Sequence, residues 1–304
     1  MSTKPSADPW GDFWAINKRS RVVGGGNGCL PQRWGAIESA LQGAWERFVQ
    51  SVDEGGTVLD LATGDGRIMG WMQEKRPDLS FIGIDLSPSL PPPPPGTQSR
   101  SGIPMEAVPF DNGSMAAVVS QFGFEYGDVA TVAKEIARVL APGGRIGLIM
   151  HRGDGPILEH NKARRAQLMW ALKDKGTARK VRNILADGPA AIDKAASLAE
   201  RVASQGAKRF GETSPAWEIP EAIKRTCLMG RSSGVASIIE TIGTIESHAR
   251  NELGRINSLA GACATADRRE AIVAEFGKHG LERAEQQELR EPSGRAFADF
   301  VEFK

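Results

Sequence analysis

The sequence predicts an α/β fold built on a doubly wound, mostly parallel sheet. Three observations carry this. Short apolar runs at Thr57–Leu61, Phe81–Ile84, Ala116–Ser120 and Arg145–Met150 each have the length of a buried strand. Helical segments at Arg67–Lys75 and Val129–Leu140 stand between them, and this alternation calls for right-handed βαβ crossovers. A glycine loop, Gly64 and Gly66, separates the first run from the first of those helices.

Before the sheet, Ile37, Leu41, Trp45, Phe48 and Val52 recur at helical spacing, and Asp53–Gly56 punctuate the chain. Pro142, Gly143 and Gly144 are expected to end the second crossover helix, since proline cannot continue it and glycine allows a tight return. Pro91–Pro95 read as a stiff spacer after the second strand. From Arg152 to about Phe276 the chain is alanine-rich and helical, and its apolar stripe from Val235 to Leu259 fits either intramolecular packing or a homodimer seam. Leu281–Arg290 and Arg295–Phe303, separated by Glu291–Gly294, predict a hairpin. The expected organisation is an N-terminal helical cap over 1–52, a core over 53–151, a helical insertion over 152–276 and a terminal hairpin over 277–304.

The chain has 304 residues, 40% of them hydrophobic, and its 38 basic and 37 acidic side chains give a formal charge of +1. A balanced charge supplies no global field for nucleic acid or an anionic membrane. Cys29, Cys227 and Cys263 are odd in number and lack metal-ligand spacing, so buried reduced thiols are expected and no metal site is. The N-terminus has no apolar run of the signal-peptide kind and no window approaches a membrane span, so a cytoplasmic location is expected.

The loop itself departs from a dinucleotide site. The position three residues after Gly66 is Met69 where that fingerprint wants glycine, and Asp60 sits at the strand end. An acid there suits a ligand with a positive group near the loop.

Val58–Gly66, V-L-D-L-A-T-G-D-G, resembles the first motif of class I S-adenosylmethionine-dependent methyltransferases, V-L-D-L-G-x-G-x-G, with Ala62 replacing the first glycine. Four later segments follow in the family's order. Phe81–Asp85 ends in an acid about 20 residues beyond the loop, where a carboxylate can accept hydrogen bonds from ribose hydroxyls. Met105–Phe110 with Asp111–Ser114 is similar to the adenine-binding segment, although Pro104 stands at its usual acid. Ala117–Phe124 resembles the fourth strand, and Glu135–Gly144 resembles E-x-x-R-V-L-x-P-G-G.

The resemblance implies a seven-stranded sheet with the last strand antiparallel, and S-adenosylmethionine (AdoMet) lying across the carboxyl ends of strands one to four. S-adenosylhomocysteine (AdoHcy) would be the product. The implied cofactor residues are Asp60, Ala62, Thr63, Gly64, Gly66, Asp85, Leu86, Met105, Glu106, Ser120 and Gln121. Proton-handling candidates just beyond strands four and five are Glu125, Tyr126 and His151. Trp14, Trp34 and Phe124 are expected to line the methyl-acceptor side, within an N-terminal aromatic set that also holds Trp10 and Phe13. Gly24–Gly26, Asn27 and Gly28 read as a loop.

The expected activity is methyl transfer to a small-molecule acceptor. Two other readings stand beside it: a methyltransferase of RNA or protein that uses the basic stretch 152–182 (Arg152, Lys162, Arg164, Arg165, Lys173, Lys175, Arg179, Lys180, Arg182), and a catalytically inactive binding protein of the same fold.

Overall fold

The computed structural model describes residues 8–21 and 35–304. Its strands are β1 (Thr57–Leu61), β2 (Ser80–Asp85), β3 (Gln98–Ser101), β4 (Met115–Gln121), β5 (Leu140–His151), β6 (Arg283–Arg290) and β7 (Ala296–Phe303). They form one sheet in the order β3-β2-β1-β4-β5-β7-β6. β7 alone runs antiparallel to its neighbours β5 and β6, and every other pairing is parallel. The strand order reverses between β1 and β4, which places a crevice beyond their carboxyl ends.

The helices of the described chain are α1 (Asp8–Arg21), α2 (Gly35–Phe48), α3 (Arg67–Lys75), α4 (Val129–Val139), α5 (Pro156–Met169), α6 (Thr177–Leu185), α7 (Ile192–Phe210), α8 (Pro215–Met229), α9 (Val235–Ala266) and α10 (Arg269–Gly277). Because side chains alternate across a strand, adjacent residues of β1 enter different cores. Val58 joins Phe81, Val119 and Ile149 beneath α2 and α3, whose Trp45, Phe48, Ile68 and Met72 fill that face. Leu59 joins Ile82, Val118 and Leu148 on the opposite face, covered by Val132 and Ile136 of α4 and by Ile272 and Phe276 of α10. Trp45 and Phe48 also meet Phe300 of β7 edge to face, so the terminal strand is fixed by the same aromatic cluster that seats α2.

The chain divides into two compact units, one of the residues up to Leu158 with Ser258–Lys304 and one of Glu159–Asn257. The helical unit is therefore narrower than the expected 152–276. The last turns of α9 and all of α10 belong to the sheet unit, where Cys263, Ile272 and Phe276 pack into its cores. No break in composition marks this division, because α9 runs unbroken across it.

Within the helical unit, Ala195, Ala196, Ala199, Ala203 and Gly206 line one side of α7. A β-carbon at Gly206 would stand 2.2 Å from the Ala216 carbonyl oxygen, so the small residues let α7 and α8 approach backbone to backbone. The apolar stripe of α9 is used internally: Ile238, Ile242, Ala249 and Ile256 are buried with Val181, Ile223 and Cys227. Several cations of the 152–182 stretch are paired: Arg164 with Glu252 at 2.7 Å and Arg182 with Glu246 at 2.7 Å within this unit, and Arg152 with Asp299 at 2.7 Å in the sheet unit.

The expected α4 boundary shifts. The helix ends at Val139, and Pro142–Gly144 lie within the start of β5, with Gly143 at a φ of 78°. The proline segment packs as a spacer, with Pro94 beside Gly66 and Gly70 of the first crossover. Cys227 and Cys263 are both buried. Among the described residues there is no metal-ligating cluster, and no helix is long and apolar enough to cross a membrane. Trp34, Cys29 and the Gly24–Gly28 loop lie outside the described residues.

Candidate cofactor and acceptor site

The turn after β1 is shaped by three left-handed residues, Ala62 (φ 56°), Gly64 (φ 55°) and Gly66 (φ 71°). Two of these are glycines, for which the conformation is free of Cβ strain, and Ala62 adopts it at a cost. Space for the Ala62 methyl comes from across the sheet. A β-carbon at Gly123 would stand 2.6 Å from the Ala62 Cβ, so the glycine after β4 accommodates the departure from the family pattern. Gly83 does the same for Thr63, whose Oγ1 would lie 2.3 Å from a β-carbon there.

The turn is tied to both acids. Thr63 Oγ1 donates to Asp60 Oδ2 at 2.6 Å, and the Gly64 amide donates to Asp85 Oδ2 at 3.0 Å. The Ser87 amide donates to Asp85 Oδ1 at 2.8 Å. Asp60 and Asp85 are 1% and 8% exposed, so their ionisation is set by the protein rather than by water. Burial pushes the Asp60 carboxyl up to about 8, against the Thr63 hydrogen bond, with the nearby Asp85 and Asp65 charges adding to the rise. Burial also raises Asp85, and the Ser87 and Gly64 amides oppose it.

Next to Asp85, Leu86 leaves 54% of its surface exposed, although the other branched aliphatic side chains around the turn are buried. Met105 and Glu106 lie near Gly127, and Glu106 Oε1 accepts from the Asp128 amide at 3.1 Å.

Some residues turn out to be occupied structurally. Ser120 is fully buried, donating to the Leu61 carbonyl at 2.9 Å and accepting from the Phe124 amide at 3.0 Å, so its hydroxyl joins the ends of β1 and β4. Gln121 Oε1 accepts from Trp45 Nε1 at 2.8 Å. Phe124, expected on the acceptor side, is fully buried and stacked on Phe276 at 5.6 Å in the core under α10.

Beyond β4 and β5 the three proton-handling candidates come together. Glu125 Oε1 accepts from the His151 amide at 2.9 Å and lies 2.7 Å from His151 Nδ1. The Phe122 ring covers the imidazole at 4.2 Å, and the Tyr126 ring meets it edge-on at 6.1 Å. Phe122 was not legible as a site residue. It holds a φ of 56°, a conformation rare for an aromatic residue and unsignalled by its neighbours in the chain.

α1 lies over both halves. Trp14 is 7% exposed, and its Cζ2 would stand 2.3 Å from a β-carbon on Gly64. Trp10, one turn earlier, meets Tyr126 edge-on at 5.9 Å. Gly64 and Tyr126 are thus bridged by about one helical turn, roughly 6 Å of rise.

The family described as a methyltransferase domain matches residues 59–148. Over 119 residues the chain is 32% identical to demethylmenaquinone methyltransferase of Thermus thermophilus, covering 36% of this chain and 50% of the relative. Over 103 residues it is 32% identical to a ubiquinone/menaquinone biosynthesis C-methyltransferase of Geobacter sulfurreducens, covering 30% and 40%. The chain thus spans half or less of the length of these relatives. Among solved structures, geranyl diphosphate C-methyltransferase of Streptomyces coelicolor matches 38% of this chain and 46% of its own at 21% identity, with a TM-score of 0.33. Residues 59–148, the span similar to methyltransferase domains, supply the parallel strands of the seven-stranded sheet.

Proposed function

We propose that the protein binds AdoMet and transfers its methyl group to a small-molecule acceptor. The carrying observation is the pair of buried acids bound to one glycine turn, Asp60 through Thr63 and Asp85 through Gly64, with the exposed Leu86 alongside. The residues present fit the cofactor. Asp60 would take the ammonium, Asp85 the ribose hydroxyls, Leu86 one face of the adenine and the Met105–Glu106 backbone its edge. When bound, AdoMet supplies a methyl carbon already activated by the sulfonium. The protein's share is then alignment of the acceptor and exclusion of water.

The rings of Trp10, Phe13, Trp14, Phe122 and Tyr126 support a flat or apolar acceptor. Relatives named for C-methylation in quinone biosynthesis agree with a small organic one. A polymer acceptor gains little support, since Arg152, Arg164 and Arg182 are already neutralised by acids. The inactive reading also weakens, because Gly123 makes room for Ala62.

The test is incubation with methyl-tritiated AdoMet and fractionated extract. Label is expected in small organic products, and label confined to RNA or protein would overturn the reading.

A further inference from the structure

The reading above leaves open what kind of atom accepts the methyl group. Resting on that reading, we propose that Glu125 is a positioning residue that fixes His151 as the Nδ1–H tautomer, so that Nε2 takes a proton from the acceptor. The acceptor would then be a hydroxyl, an amine or an acidic carbon. A sulfide or a halide ion has no proton to lose.

The geometry is specific. One oxygen, Glu125 Oε1, serves two atoms of the same residue, the His151 amide at 2.9 Å and Nδ1 at 2.7 Å. With the carboxylate on that side, Nδ1 carries the hydrogen and Nε2, across the ring, presents its lone pair. Rotation is blocked as well, since Phe122 lies on the ring at 4.2 Å and the Tyr126 edge stands at 6.1 Å. His151 is 7% exposed and Glu125 2%, so water does not compete freely for either group.

Glu125 Oε2 adds an independent sign. It is buried and has no hydrogen-bond partner among the described residues. A buried, unpartnered carboxylate oxygen is costly, and a ligand or a water molecule at this atom would satisfy it. The dyad also sits next to the cofactor turn: Gly123, two residues before Glu125, faces Ala62, and Trp10 and Trp14 of one helix touch Tyr126 and Gly64.

Bound AdoMet would supply the methyl group, the acceptor's electron pair forming the new bond and the electron pair of the broken carbon–sulfur bond remaining on the neutral sulfur of the product. The acceptor proton passes to His151 Nε2. The resulting imidazolium is held against Glu125 until the proton leaves to solvent.

The test is ¹⁵N NMR of the full chain labelled at histidine, in complex with AdoHcy, with His151 assigned among the four histidines by its loss in His151→Asn. The wild type is expected to show bare Nε2 and protonated Nδ1. Glu125→Ala is expected to reverse the two, and Glu125→Gln, which keeps an acceptor oxygen, to restore the wild-type pattern. A protonated Nε2 in the neutral wild-type ring, or a tautomer indifferent to Glu125→Ala, would overturn the proposal. AdoHcy affinity, measured by calorimetry on the same samples, is expected to stay within about twofold in all variants. Absence of AdoHcy binding would instead count against the cofactor reading, and the tautomer would still be read on the free protein.

Discussion

Ala62 and Gly123 face each other across the carboxyl ends of β1 and β4, close enough that a β-carbon on Gly123 would stand 2.6 Å from the Ala62 methyl. Ala62 also holds a left-handed φ of 56°. Gly123→Ala is therefore expected to lower stability by about 1–3 kcal/mol through overpacking. Ala62→Gly in the same chain should recover part of it, and alone should be neutral or stabilising by up to about 1 kcal/mol. Urea unfolding of the double-mutant cycle checks this: a coupling near zero would mean that the two positions do not compete for space.

Burial of Asp60 makes stability depend on pH. Its folded value of about 8 lies above the ordinary 3.8 of an aspartate side chain, so the folded state holds a proton that the unfolded chain releases. That contribution is fully present below about pH 4 and is lost as pH rises through about 8, so stability falls across this window. Asp60→Asn keeps an oxygen for Thr63 and removes the titration. It is expected to stabilise the protein by about 2 kcal/mol or more at pH 8, with a smaller gain at pH 5, while weakening AdoHcy at least about tenfold. Unfolding midpoints at the two pH values, with calorimetry, decide it; equal gains at both would remove burial of the carboxyl as the cause.

Trp14 covers Gly64 from α1. A cofactor resting on that glycine has to displace the indole or slide beneath it, so the helix is expected to govern exchange. Trp14→Ala should speed AdoHcy dissociation on the order of tenfold, about 1.4 kcal/mol of barrier. Stopped-flow displacement measures this, and an unchanged rate would mean that α1 does not gate the turn.

Much of this was legible before any coordinates. β1 and β2 follow from short apolar runs and α3 from the glycine loop before it, and Asp60 and Asp85 stand out because few structural roles exist for carboxylates at buried strand ends. β3 was not legible, since Gln98–Ser101 is a polar edge strand with no apolar face to pattern it. The helical unit's end at Asn257 was hidden within a continuous helix. Glu125 and His151 were each visible as candidates, but their contact joins residues 26 apart and leaves no local mark. The burial of Phe124 leaves no mark in the sequence either, because a strand-end position does not say which way the next turn points its ring.

Asp85 offers the most direct test of the central claim. It accepts from the Gly64 amide at 3.0 Å and the Ser87 amide at 2.8 Å, keeping lone pairs for ribose hydroxyls. Calorimetric titration of the full chain with AdoHcy is expected to show one site, weakened about ten- to a hundredfold in Asp85→Ala, a loss of about 1.4–2.8 kcal/mol. No binding by the native protein, or equal affinity in Asp85→Ala with the fold intact by circular dichroism, would contradict it.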